Sequence, residues 1–226
     1  MIELAEKWRI LADIKDELAV RDWFLGTSGN LSIKVREDPL TFLITASGKD
    51  KRKRTEEDFL LVDQDGKSLG NTHLTASAEV GIHAEIYQRT NASCCLHVHT
   101  LDNNLISELH GREGRITFRG QELIKAFGIW EEDGEISIPI IPNHADLDLL
   151  SKEFGDLLLQ DPLLKGILIR NHGITTWGAT PLEAKKYLEA FEFLFSYHIK
   201  LRLLQPNLSA KWGEDFHGTN TISSYR

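Results

Sequence analysis

Cysteine is scarce in this sequence: two residues in 226, Cys94 and Cys95, adjacent to one another. Neighbours on a strand point to opposite faces, so this pair builds no disulfide framework. No apolar run approaches the roughly 20 residues that span a bilayer. Residues 1–21 carry acids throughout and lack the basic start, unbroken apolar segment and small-residue cleavage site of a signal peptide, so the expected compartment is the cytosol. Positive charge is also short, with 26 Lys and Arg against 34 Asp and Glu for a formal net charge of −8. Counterion release from a nucleic-acid backbone rewards cationic surfaces, so nucleic acid is not expected as a partner. A local basic patch would still suffice for one small phosphate. The 17 glycines have no three-residue period, which excludes collagen. Internal repeats and low-complexity linkers are missing. So are the dinucleotide fingerprint and the P-loop, so no nucleotide cofactor is indicated.

What is present is an ordinary globular composition, 41% hydrophobic and 27% charged, too apolar for a disordered chain. At about 150 residues per domain the length suits one domain. We place it at residues 1–204, with a polar tail at 205–226. Leu4, Trp8, Leu11, Ile14 and Leu18 recur at helical spacing. Short strands are expected at 31–35, 40–45, 60–62, 93–99, 116–118, 136–141, 166–170 and 173–177. The first two should form a hairpin around Glu37-Asp38-Pro39. Helices are expected at 78–89 with Ser77 as cap, after Thr100, at 121–127, at 146–159, and at 182–204 with Pro181 in the first turn. Strands and helices interleave throughout, which indicates a layered α/β architecture.

The sharpest chemical signal is His97-Val98-His99. Residues i and i+2 of a strand share a face, about 7 Å apart at the backbone, so both imidazoles can converge on one ion. The pair closes an apolar strand, and ligand sites collect at strand ends. A lone His-x-His is more often a surface or hydrogen-bonded pair. A catalytic zinc takes three protein ligands and keeps an open position. His172, in Asn171-His172-Gly173, is one candidate for the third. His73, His83, His110, His144, His198 and His217 are others, and spacing alone does not choose among them.

Three clusters of small residues follow: Gly26-Thr27-Ser28-Gly29-Asn30, Thr45-Ala46-Ser47-Gly48 and Thr75-Ala76-Ser77. Each alone reads as a turn or cap. Together they suggest a shared phosphate site built from glycine-turn N–H groups and a helix start. Glu79 and Glu122 each open a helix, where acids commonly serve the helix dipole. The run Lys49-Asp50-Lys51-Arg52-Lys53-Arg54 reads as a solvated loop. The cysteines read as small apolar groups, and the aromatics of the last helix as core or subunit contact.

The ordered set of Gly26-Thr27-Ser28-Gly29-Asn30-Leu31-Ser32, Ala46-Ser47-Gly48, Ser77-Ala78-Glu79, His97-Val98-His99 and Asn171-His172-Gly173, spread over residues 5–203, resembles the class II aldolase and adducin-like family. Phe118-Arg119-Gly120-Gln121-Glu122-Leu123-Ile124-Lys125, residues 138–142 and residues 170–178 are most similar to its dehydratase branch, which acts on a methylthio-sugar phosphate in methionine salvage. The resemblance implies a three-layer α/β/α sandwich with a largely antiparallel central sheet, and a homotetramer with sites at subunit interfaces. It implies one zinc ion per subunit on His97, His99 and His172, a sugar-phosphate substrate, phosphate contacts from Asn30, Ser47, Gly48 and Ser77, and Glu122 as catalytic acid/base. A sugar-phosphate aldolase or epimerase would use Glu79 instead, and both carboxylates are present. A non-catalytic relative of the adducin type has no need of the three histidines.

Overall fold

In the computed structural model, residues 2–212 are described, with side chains to residue 204. The elements in chain order are α1 (Ile2–Ala19), β1 (Asn30–Arg36), β2 (Thr41–Thr45), β3 (Phe59–Asp63), α2 (Val80–Arg89), β4 (Cys94–Val98), α3 (Leu101–His110), β5 (Arg115–Arg119), β6 (Glu135–Ile141), α4 (Leu147–Gln160), β7 (Gly166–Ile169), β8 (Gly173–Gly178) and α5 (Pro181–Trp212). Short 3-10 turns lie at Leu25–Thr27 and Glu122–Phe127. The second of these stands where the sequence suggests an α-helix.

The strands form one sheet in the order β3-β2-β1-β4-β8-β7-β6-β5. Every neighbouring pair is antiparallel except β6 and β7, which α4 connects. The sheet is therefore largely antiparallel, as the resemblance implies, with one parallel pair. Alternation along the strands sends side chains to two separate cores. Cys94, Leu96 and Val98 face a cluster with Leu11 and Leu18 of α1, Ile106 of α3 and Phe191 and Phe195 of α5. Cys95, Ile167 and Ile169 face Ile82 and Ile86 of α2 and Phe154 of α4. Burying each large apolar side chain in these layers contributes about 1.5–3 kcal/mol. The two cysteines are free and fully buried on opposite faces, and burial pushes the Cys94 thiol up to about 12. No helix of the described residues is long and apolar enough to cross a membrane.

Thr100 caps α3 as expected, its hydroxyl accepting from Asn103 N while the Asn103 side chain answers the Thr100 N–H. Ser77 does not cap α2. That helix begins at Val80 with Glu79 in the cap position, and Ser77 contributes only its carbonyl, accepting from Val80 N at 3.1 Å. The last helix also departs from expectation, since its backbone runs on through Pro206 to Trp212. Proline removes one backbone donor but favours the helical φ, so it does not compel an end there. Residues 213–226 of the expected tail lie outside the described residues.

Thr100 also donates to Glu192 of α5 at 2.7 Å, and Asn103 Nδ2 donates to the same carboxyl at 2.9 Å. Burial raises this carboxyl from 4.5 to about 7 against the pull of those donors. Between these values the folded state holds a proton that the unfolded state has released, so stability falls as pH rises. Glu192→Gln is expected to gain stability relative to the parent between pH 5 and 7, by at most about 1.4 kcal/mol per pH unit. Denaturation midpoints at the two pH values check this.

Candidate metal centre

His97 is the next-to-last residue of β4, on the face opposite Leu96 and Val98, and is 1% exposed. His99 follows just past the strand and bridges to Phe24. The register of β4 on β8 sets His97 opposite Thr175 and Val98 opposite Ile174. The residue immediately before β8 therefore arrives beside His99, and that residue is His172. A turn through Asn171 at φ 52 presents it. His172 N donates to Ile169 O at 3.1 Å, and Asn104 Nδ2 donates to His172 O at 2.9 Å.

The three rings stand edge to face, with centroids 4.7, 5.1 and 4.6 Å apart. One nitrogen from each lies within 4.8 Å of the others. Nδ1 of His97 reaches the Ile174 carbonyl at 3.1 Å. A carbonyl only accepts, so Nδ1 carries the proton and Nε2 offers a lone pair. That Nε2 lies 2.8 Å from Nε2 of His99. His172 Nδ1 donates to Asn143 Oδ1 at 3.2 Å, which turns its Nε2 to the same centre. Burial pushes the His99 ring down to about 2, aided by His97 and His172, and burial likewise lowers His97. Three convergent imidazole nitrogens, with the outward nitrogens of His97 and His172 fixed by hydrogen bonds, are a donor set that fits a divalent ion such as zinc.

Glu79 closes the other side. Its oxygens lie 3.3 Å from His97 Nε2 and 3.0 Å from His172 Nε2. Burial raises this carboxyl, but His97, His172 and a bond from Asn30 outweigh it and hold the group well below the usual carboxylate range. A buried chain of hydrogen bonds orients it. Asn30 Nδ2 donates to Glu79 at 2.5 Å, so Asn30 Oδ1 must accept from His83 Nε2, also at 2.5 Å. His83 Nδ1 then accepts from Ser32 Oγ at 2.6 Å, and Ser32 accepts from the Tyr87 hydroxyl at 2.6 Å. Burial holds His83 neutral, its pKa down at about 3, as this single direction of donation requires.

A family model described as the class II aldolase and adducin N-terminal domain matches residues 9–199. The chain belongs to this family. It is 64% identical over 202 residues to a methylthioribulose-1-phosphate dehydratase of Geobacillus sp. (strain WCH70), covering 89% of this chain and 94% of that protein. It is 59% identical over 204 residues to the methylthioribulose-1-phosphate dehydratase of Bacillus subtilis (strain 168), covering 90% and 97%. Among solved structures, the L-fuculose-1-phosphate aldolase of Thermus thermophilus superposes with a TM-score of 0.70 at 22% identity, over 89% of this chain and 98% of that one, a likeness of fold.

On this family fold the other expected site residues lie as follows. Asn30 opens β1 beside Glu79. Ser47 and Ser77 are brought together by backbone pairing, with Ser47 N donating to Thr75 O at 2.8 Å and Ser77 N to Thr45 O at 3.2 Å. Gly48, at φ +71, follows Ser47 with open space around it. Glu122 is not brought to the histidines of its own chain. Its side chain is 83% exposed and pairs with Lys125 at 2.9 Å. It lines a separate cavity of about 320 Å³ with Gln121, Lys125, Ile129 and Trp130.

From the sequence, His83 enters only as a candidate metal ligand and Ser32 only within the Gly26–Ser32 motif, and Tyr87 is passed over. The signal for His83 and Tyr87 is the i, i+4, i+8 spacing of Glu79, His83 and Tyr87, which sets three polar side chains on one face of α2. Lys51 is also misjudged, being buried rather than solvated.

Gly173 is required by the close approach of β8 to the two strand histidines. A Cβ there would lie 2.5 Å from Val98 O, 2.7 Å from His99 Cδ2 and 2.9 Å from His97 Cε1. Gly173→Ala is expected to lose about 1–3 kcal/mol of stability and to spread the imidazoles. A lowered unfolding midpoint, together with a smaller midpoint gain on adding Zn²⁺, is the check.

Proposed function

We propose that the chain is a zinc-dependent hydro-lyase that removes water from 5-methylthioribulose 1-phosphate to give 2,3-diketo-5-methylthiopentyl 1-phosphate, a step of methionine salvage in the cytosol. The observation that carries this reading is the 64% identity over 89% of the chain to a dehydratase of that name. Three convergent imidazoles support it. We take residues 1–204 as the catalytic domain.

A zinc ion on His97, His99 and His172, one per subunit, would supply Lewis-acid help at the substrate ketone, worth several kcal/mol of barrier. The chain's own groups do the rest. Asn30, Ser47, Gly48 and Ser77 hold the phosphate at the paired Ser47 and Ser77 turns. Glu122 takes the C3 proton and delivers it to the C4 hydroxyl, which departs as water, and the resulting enol relaxes to the diketone. General acid–base help of this kind gives roughly 10²–10⁴ in rate. Because Glu122 is exposed and remote from the histidines of its own chain, it serves the centre of a neighbouring copy, within a homotetramer whose sites lie at subunit interfaces. Exposed Leu101, Leu105 and Leu109 on α3, together with Phe193, Tyr197 and Leu201 on α5, form apolar stripes suited to such contacts. Glu79, held by the Tyr87–Ser32–His83–Asn30 chain, positions the histidines.

A second reading draws on the contacts of Glu79 with His97 and His172. In it the chain is a sugar-phosphate aldolase or epimerase, with Glu79 as acid/base. Incubation with methylthioribulose, fuculose and ribulose phosphates, with products read by mass, separates the two. Loss of 18 mass units from the first substrate alone is the expected result. Carbon–carbon cleavage or epimerisation of the others, with the first left intact, would replace the first reading with the second.

A further inference from the structure

Lys51 lies in a run of charged residues yet is 4% exposed. Its ammonium donates to Thr27 O at 2.8 Å, and among the described residues no carboxylate ion-pairs with it. The buried carboxylate of its loop, Asp58, is held by Lys15 at 3.0 Å. Lys15 also takes the carbonyls of Lys51 at 3.0 Å and Lys53 at 2.6 Å, so α1 pins this loop from behind. A buried ammonium without an anion is costly, because its desolvation is not repaid by a partner. Two of its three N–H bonds have no acceptor among the described residues.

A second buried polar group, on the residue that follows the Thr27 carbonyl held by Lys51, is unpartnered. Ser28 Oγ has no hydrogen-bond partner and is closed off from the surface. Ser28 follows Thr27 in a loop where Gly26, Thr27 and Gly29 all have left-handed backbones, at φ 63, 64 and 71. Thr27 is strained there, and such strain persists where the surroundings over-determine a site. The loop leads directly into Asn30, and Lys51 stands three residues after Gly48. Burial lowers the Lys51 ammonium to about 8 while the Glu79 carboxylate pulls it up, and the ammonium in turn lowers His97 and His99, so it lies within Coulombic reach of the histidine cluster.

We propose that Lys51 Nζ and Ser28 Oγ bind the phosphate of the substrate, supplying the full positive charge that Asn30, Ser47, Gly48 and Ser77 lack. This rests on the reading of the substrate as a sugar phosphate and extends it. The four neutral contacts orient a phosphate but do not neutralise it. An ammonium in a low-dielectric wall does, and it makes the dianion, rather than the sugar hydroxyls, the main source of affinity. Lys51 is then the residue that selects phosphorylated over free sugars.

The test uses the full-length, zinc-loaded protein titrated with inorganic phosphate, following its unfolding midpoint, for the parent, Lys51→Met, Lys51→Arg and Ser28→Ala. The parent is expected to gain stability with phosphate. Lys51→Met should require about tenfold more phosphate or above for the same gain, with most of the loss recovered in Lys51→Arg, and Ser28→Ala should require several-fold more. In turnover, Lys51→Met should raise KM by a similar factor with a smaller effect on kcat. A parent that does not respond to phosphate, or a Lys51→Met response equal to the parent's, overturns the proposal. If Lys51→Met does not fold, Ser28→Ala decides, since it deletes an atom without a partner, and an unchanged response there also overturns it. Phosphate binding needs no turnover. A parent that binds phosphate through Lys51 but dehydrates nothing therefore refutes the hydro-lyase reading and leaves this one standing.

Discussion

His97→Ala is expected to yield a folded protein that retains no stoichiometric metal after dialysis and turns over methylthioribulose 1-phosphate at about 10³-fold below the parent rate or lower. Of the three imidazoles, His97 is the most deeply set. Its ring is buried, with Nδ1 held by Ile174 O at 3.1 Å and Thr175 Oγ1 at 3.0 Å. Removing it leaves two ligands, too few for a catalytic zinc site. It also leaves Glu79 with one imidazole partner instead of two. Metal analysis beside a far-ultraviolet spectrum checks this. A folded variant with one zinc per chain would count against the site.

The second large effect concerns Glu122. Glu122→Gln is expected to keep its metal and lose dehydration by about 10²–10⁴-fold, the range for a general acid–base group. Glu122 should act on a neighbour's centre, so the two defects lie on different partners of one site. Refolding equal amounts of His97→Ala and Glu122→Gln chains together should then restore about a quarter of parental activity, the share of sites that pair an intact triad with an intact Glu122 at random. Each variant alone stays inactive. If mixing restores nothing, Glu122→Gln is mild and Glu79→Gln is dead, the acid/base is Glu79 and the aldolase-like reading gains.

Most of the architecture is legible in the sequence because its signals are local. The 3- and 4-residue spacing of Leu11, Ile14 and Leu18 marks the buried face of α1, and all three lie in the core. His97 and His99 share a strand, so their shared face follows from a period of two. The third ligand is a different matter. His172 reaches them only because β8 pairs with β4 in one register, and no spacing in the chain encodes which strands become neighbours. The family's motifs, rather than geometry, single it out.

Lys51 is misleading for the same reason. A run of charges looks solvated until Lys15, from a distant helix, reaches over to bind the loop carbonyls. Ser77 misleads for a smaller one. A serine near a helix start suggests a cap, but the helix begins later, and the side chain at its cap position, Glu79, is turned to the histidines. Local propensity yields there to the site.

The most direct measurement is an anomalous-scattering map at the zinc edge from crystals of the zinc-loaded protein. A single peak about 2.0–2.1 Å from Nε2 of His97, His99 and His172 is the result expected. A peak elsewhere, or none, with His172 turned away from the strand pair, would contradict the account at its root.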